Sequence, residues 1–144
     1  MISLIVAEER LQVKPAFNVK RILVCAVGNA AVDLLALRLL KADARLQQRV
    51  CRVGTGFLQS VRQAKIALEE MPHPQDKRDR LAKCSVVFAS LSGSGSAILK
   101  NNLFDLIIVD EAGQATEAST LIAMCHLPPN GRLVLVGGKS EVTG

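Results

Sequence analysis

Four short stretches of the chain are apolar on consecutive positions: Arg21 to Ala26, Ser85 to Ser90, Asp105 to Asp110 and Arg132 to Val136. A strand with one wet face alternates apolar and polar residues. Unbroken Val, Ile and Leu therefore predict strands buried on both faces, as in a parallel sheet. Between these runs the apolar spacing lengthens to that of a helix. It does so over Ile2 to Leu11, over Ala30 to Lys41 with Val32, Leu35, Ala36 and Leu39 on one face, over Leu58 to Glu70, and over Ala115 to Met124. Strand and helix in alternation predict an α/β domain with a parallel sheet and crossover helices. Pro72, His73 and Pro74 interrupt the pattern, and Gln75 to Arg80 reads as a short solvated excursion. Pro128, Pro129, Asn130 and Gly131 predict a turn before the last strand. We expect one domain over residues 1–144, with both ends cut from something larger, because the first helix pattern has no cap and the last strand is followed by almost nothing.

Composition narrows the class. With 144 residues, 49% apolar and 22% charged, the chain is long enough for its own core, and disorder, collagen and coiled coil are poor descriptions. The net charge of +5 is unevenly placed. Arg38 to Lys83 carries eleven bases against five acids, whereas Asn101 to Cys125 carries four acids and no base. Such a division suits a polyanion on one surface and a metal or its phosphate complex on another. Cys25, Cys51, Cys84 and Cys125 form no C-x-x-C pair and read as core thiols of a reducing compartment. The apolar opening Met1 to Ala7 lacks a basic leader, and no run approaches the length of a membrane span, so we expect an intracellular protein of nucleus or cytoplasm. Without Trp or Tyr, and with four Phe, there is little to stack bases on, so any nucleic acid would be held by its backbone.

The chemistry concentrates where strands run out. Phe104 to Gln114, F-D-L-I-I-V-D-E-A-G-Q, is a buried strand delivering adjacent carboxylates, Asp110 and Glu111, at its carboxyl end. That edge is where open α/β sheets bind ligands. One acid can hold magnesium through waters while the next orients or deprotonates an attacking water, and Gln114 lies one short turn further on. The alternative is that both acids open the following helix and interact with its dipole. Val24 to Asp33 turns from strand to helix at Gly28 and Asn29, whose amides can hold a phosphate oxygen, or which can serve as an ordinary turn and N-cap. Phe88 to Ser96, F-A-S-L-S-G-S-G-S, ends in a small polar loop. There Gly93 and Gly95 can free backbone amides and Ser90, Ser92 and Ser94 can add hydroxyl donors to a sugar-phosphate chain, or the segment is simply a flexible loop. The closing V-G-G-K-S is not a phosphate-binding G-x-x-x-x-G-K-[ST] loop, because Leu133 stands where glycine is needed. His73 and His126 have no partner at ligand spacing, so no histidine metal site is expected.

In this order and spacing the segments resemble the first RecA-like domain of superfamily 1 helicases related to senataxin and the nonsense-mediated-decay helicase. R-I-L-V-C-A-V-G-N-A-A-V-D resembles their motif Ia, A-S-L-S-G-S-G-S motif Ic, V-D-E-A-G-Q-A-T-E motif II, and L-V-L-V-G-G-K-S-E-V an altered motif III. The resemblance implies a P-loop NTPase-type sheet and hydrolysis of ATP with Mg²⁺. Asp110 would coordinate the metal, Glu111 would activate water, and Gln114 would contribute to the nucleotide site. It further implies RNA or single-stranded DNA as partner, with Gly28, Asn29, Ser90, Ser92 and Gly93 touching its backbone. Val27 and Gly28 stand where the family has proline and serine, and Gly138 and Glu141 where it has aspartate and glutamine. The family's phosphate-gripping motif I and its second RecA-like domain have no counterpart here. The expectation is therefore a fragment of an ATP-dependent helicase that does not hydrolyse ATP alone. The rival expectation is a non-catalytic module, derived from a helicase, that binds nucleic acid or protein through the basic Arg38 to Lys83 region.

Overall fold

All five side chains of Ile22–Ala26 are buried, and this strand, β1, takes the centre of a five-stranded parallel sheet. The computed structural model describes residues 19–137. After β1 come α1 (Asn29–Ala42), β2 (Val50–Arg52), α2 (Gln59–Gln63), α3 (Pro74–Lys83), β3 (Val86–Ser90), β4 (Leu106–Val109), α4 (Glu117–Met124) and β5 (Arg132–Leu135), joined by loops and short 3₁₀ turns. The spatial order is β2-β3-β1-β4-β5. Ile22 lies opposite Val86 on one side and Leu106 on the other. Successive β1 residues therefore feed different layers. Ile22, Val24 and Ala26 pack with Val32, Ala36 and Leu39 of α1, while Leu23 and Cys25 pack with Leu81 of α3 and Ala123 of α4. The fold class expected from the sequence, an α/β parallel sheet of the RecA type with helices across it, is the one observed.

Several elements depart from the expectation, each for a local reason. Residues Val50–Arg52 form a strand that the hydrophobic pattern does not announce. The helix expected over Leu58 to Glu70 stops at Gln63, because Lys65 takes a positive φ of 58° and Ala67 then bridges to Arg52 in parallel. Ile66, Ala67 and Leu68 are all buried, as consecutive apolar residues in an extended segment should be. The supposed excursion Gln75 to Arg80 lies inside α3, which Pro74 opens at a position where its fixed φ suits a helix start. Leu81 is its one fully buried residue. β5 is not buried on both faces, since it lies outermost and has β4 as its one described neighbour. Cys125 is exposed rather than a core thiol, because α4 buries only Ala123 and turns Leu121, Ile122 and Met124 outward. The Ile2 to Leu11 helix pattern lies outside the described residues. No helix among the described residues is long and apolar enough to cross a membrane.

Burial pushes the Cys25 thiol up from 9.0 to about 12. Above pH 9 the unfolded chain releases a proton that the folded one keeps. The thiol's contribution to stability is thus complete below that pH and is lost progressively as pH rises toward 12, at up to about 1.4 kcal/mol per pH unit. Urea midpoints measured across the alkaline range should fall less steeply for Cys25→Ala than for the natural chain. Identical slopes would show that the thiol ionises freely in the fold.

Candidate functional site

Because all five strands run the same way, their carboxyl ends share one edge. The segments leaving that edge are tied to one another by backbone hydrogen bonds. Leu91 N–H donates to Ala26 O at 2.9 Å, Val53 to Phe88 O at 2.8 Å, Asp110 to Cys25 O at 2.8 Å and Ala112 to Val136 O at 2.9 Å. The three clusters singled out in the sequence, around Asn29, Ser90 and Asp110, thus leave from adjacent strands of one edge.

Asp110 follows β4 directly and is half-buried, while Glu111 is exposed. Glu111 adopts the left-handed conformation, φ 52° and ψ 43°, at the entrance to a 3₁₀ turn over Ala112–Gln114. A non-glycine residue held there costs about 1–3 kcal/mol, which the surrounding turn must offset. Gln114 is exposed on that turn, its N–H donating to Glu111 O at 2.9 Å. Neither acid opens the next α-helix, although Glu111 stands at the N-cap position of the short 3₁₀ turn. The helix α4 starts at Glu117, is capped by Thr116 through a bond to the Ser119 N–H, and has Glu117 as its first-turn acid.

The Asn29 cluster is built on a buried ion pair that sequence reasoning missed. Arg52 of β2 and Asp33 of α1 are 1% and 0% exposed, with Arg52 Nε donating to Asp33 Oδ1 at 2.7 Å. A second guanidinium nitrogen donates to Asn29 Oδ1 at 3.1 Å and a third to Val53 O. The other Asp33 oxygen accepts the Leu58 N–H at 2.8 Å, pinning the loop after β2. Asn29 is therefore not an N-cap. Gly28 occupies that position without a side-chain cap, and the asparagine oxygen is turned onto Arg52. A guanidinium can only donate, so it is the Asn29 oxygen that faces Arg52 and the amide nitrogen that is turned away from it. It lies against Gly56, whose φ is +75° and where an added Cβ would come within 2.7 Å of that nitrogen. The signal available in the sequence was an arginine inside a short apolar run and an aspartate on an otherwise apolar helix face.

In the third cluster most of the expected donors are already used. Gly93 N–H donates to Ser90 Oγ at 3.0 Å, Gly95 N–H to Ser92 O at 3.2 Å, and Ser94 Oγ to Leu91 O. The amides of Gly93 and Gly95 are thus not free for a ligand, which corrects the expectation. Ser90 is 7% exposed and shapes the turn from beneath, and Ser92 is the exposed hydroxyl of the loop. A Cβ at 93 would sit 2.8 Å from Ser90 Oγ, so a larger residue there would have to displace that hydroxyl. Behind the loop, the buried His126 faces two backbone carbonyls, Nε2 to Ser94 O at 2.6 Å and Nδ1 to Asn102 O at 2.9 Å. Gly138, Lys139, Ser140 and Glu141 of the altered motif III lie outside the described residues.

Residues 58–139 match the model of the AAA domain family, and the chain belongs to that family. The superfamily 1 helicase type anticipated from the motifs agrees with its relatives. The chain is 34% identical to the probable helicase MAGATAMA 3 of Arabidopsis thaliana, in a match covering 72% of this chain and 16% of that protein. It is 30% identical to the RNA helicase Mov10l1 of Mus musculus, over 95% of this chain and 12% of the relative, and the Homo sapiens protein gives the same figures. The chain thus spans well under a fifth of the length of these relatives.

Proposed function

We propose that these residues form the region of an ATP-dependent RNA or DNA helicase in which nucleotide chemistry meets the nucleic-acid strand. The observation that carries this is the adjacency of Asp110 and Glu111, half-buried and exposed, at the carboxyl end of a strand paired with the central β1. Asn29 and Ser92 leave the two strands nearest on the other side. Oxygen donors on a short, firm turn suit Mg²⁺, which takes one or two carboxylates and keeps waters and phosphate oxygens for its other positions. Asp110 would hold that ion. Magnesium, when bound with ATP, supplies charge neutralisation at the phosphates. Glu111 accepts the proton of the attacking water, and Gln114 lines the same turn. Asn29, through the amide nitrogen that Arg52 leaves unused, and Ser92 donate to phosphate oxygens of RNA or single-stranded DNA beside Gly28, while Ser90 and Gly93 hold their loop in shape. The sequence has no G-x-x-x-x-G-K-[ST] loop, so these 144 residues are proposed to be inactive toward ATP by themselves.

Titrating the chain with a labelled single-stranded oligonucleotide at several salt concentrations tests the nucleic-acid half of this reading. Affinity should fall linearly on a log–log plot, with a slope near 0.7 for each phosphate contacted, roughly. Binding indifferent to salt would sink it.

A further inference from the structure

Two cavities of about 630 and 460 Å³ lie beside the Ser96–Asn102 segment, which lines both. The opposite wall of the larger one is α3, through Pro74, Lys77, Arg78 and Leu81, and the smaller is closed by Ile122, Cys125 and His126 at the end of α4. The larger is a groove that begins at Ser96, just beyond the Ser90–Gly93 loop. Its charge is one-sided. Lys77, Arg78 and Lys100 line it against one carboxylate, Glu69, which lies 3.7 Å from Lys77 Nζ. Arg78 and Lys100 have no ion pair among the described residues.

The groove's wall is already fixed. His126 holds Ser94 O and Asn102 O at its two ends, Arg21 Nη1 donates to Asn102 Oδ1 at 3.2 Å, and Leu99 between them is fully buried. A ligand entering it therefore has little chain to order, which removes one of the usual costs of association. Leu81, Ala97 and Ile98 are apolar members of its lining. With no aromatic side chain in its lining, the groove would hold a strand through its phosphates, which the three cations complement.

We infer that the groove between α3 and Ser96–Asn102 takes a single nucleic-acid strand onward from the Ser90–Gly93 loop, with Lys77, Arg78 and Lys100 meeting its phosphates. This rests on the proposed function, in which the loop faces nucleic acid. Fluorescence anisotropy with labelled oligouridylate and oligothymidylate tests it, comparing the natural chain with the triple variant Lys77→Ala, Arg78→Ala, Lys100→Ala. The control is Arg38→Ala, Lys41→Ala, Lys83→Ala, an equal loss of charge outside the groove, and circular dichroism checks that both variants keep the fold. The groove variant should bind about tenfold or more weakly at low salt, with its log–log salt slope reduced by roughly two, and the control should change far less. An unchanged slope in the groove variant overturns the inference while leaving the loop's proposed role intact. Failure of the natural chain to bind either oligonucleotide overturns both. If polyglutamate displaces the oligonucleotide as efficiently as unlabelled oligouridylate does, the groove is a site for acidic polypeptides and the inference is likewise wrong.

Discussion

Arg52→Ala should lower the free energy of unfolding by about 3–5 kcal/mol, a large share of the roughly 5–15 kcal/mol that holds a typical domain together. The reason is less the lost attraction than what is left behind. Arg52 and Asp33 are 1% and 0% exposed, so truncating the arginine strands a carboxylate away from water with only the Leu58 N–H to satisfy it. It also leaves Asn29 Oδ1 and Val53 O without their donors. Replacing both charges, Arg52→Met with Asp33→Leu, should cost distinctly less than the single truncation, because no uncompensated charge remains. Urea denaturation of the three chains decides the matter. A single variant that loses under about 1 kcal/mol would mean that water reaches the pair and that its burial is not the source of its strength.

In any form of this protein that turns over ATP, Glu111→Gln should reduce kcat by about 10²–10⁴-fold while leaving nucleotide affinity nearly unchanged. Glutamine has almost the same shape and can still orient a water, but it cannot accept the water's proton. Its backbone would need the same left-handed conformation that Glu111 adopts at φ 52°, so the turn that carries Gln114 should survive. Steady-state ATPase assays alongside equilibrium nucleotide binding separate the two effects. Turnover within a factor of a few of the natural protein would remove Glu111 from the role proposed for it, and the base would have to be sought elsewhere on the edge.

Much of the sheet was legible because burial on both faces leaves a plain mark: β1, β3 and β4 are unbroken apolar runs, and each is buried throughout. β2 was not, because its Arg52 looks like a surface residue until its partner is known. That partner, Asp33, lies nineteen positions earlier on α1, and no local spacing reports the pairing. α3 escaped for a different reason. One buried leucine in ten residues makes no apolar stripe, and the helix rests on Pro74 at its start and Leu81 near its end. The acid pair could be found from sequence because the carboxyl end of a buried strand is a predictable place. The internal bonding of the serine loop could not, since whether Gly93 offers its amide to a ligand or to Ser90 depends on a turn geometry that composition does not encode.

The central place of β1 bears on how the edge behaves over time. Both of its flanks are laddered, to β3 and to β4, so a fluctuation that frees it must break both rows of bonds at once, whereas β5 can peel from β4 alone among the described strands. The acid turn after β4 is fastened to both kinds of neighbour, through Asp110 to Cys25 and through Ala112 to Val136. One end of that turn is therefore moored to the doubly paired centre of the sheet and the other to its outermost described strand, so the exchange of the Asp110 amide should be slower than that of the Ala112 amide.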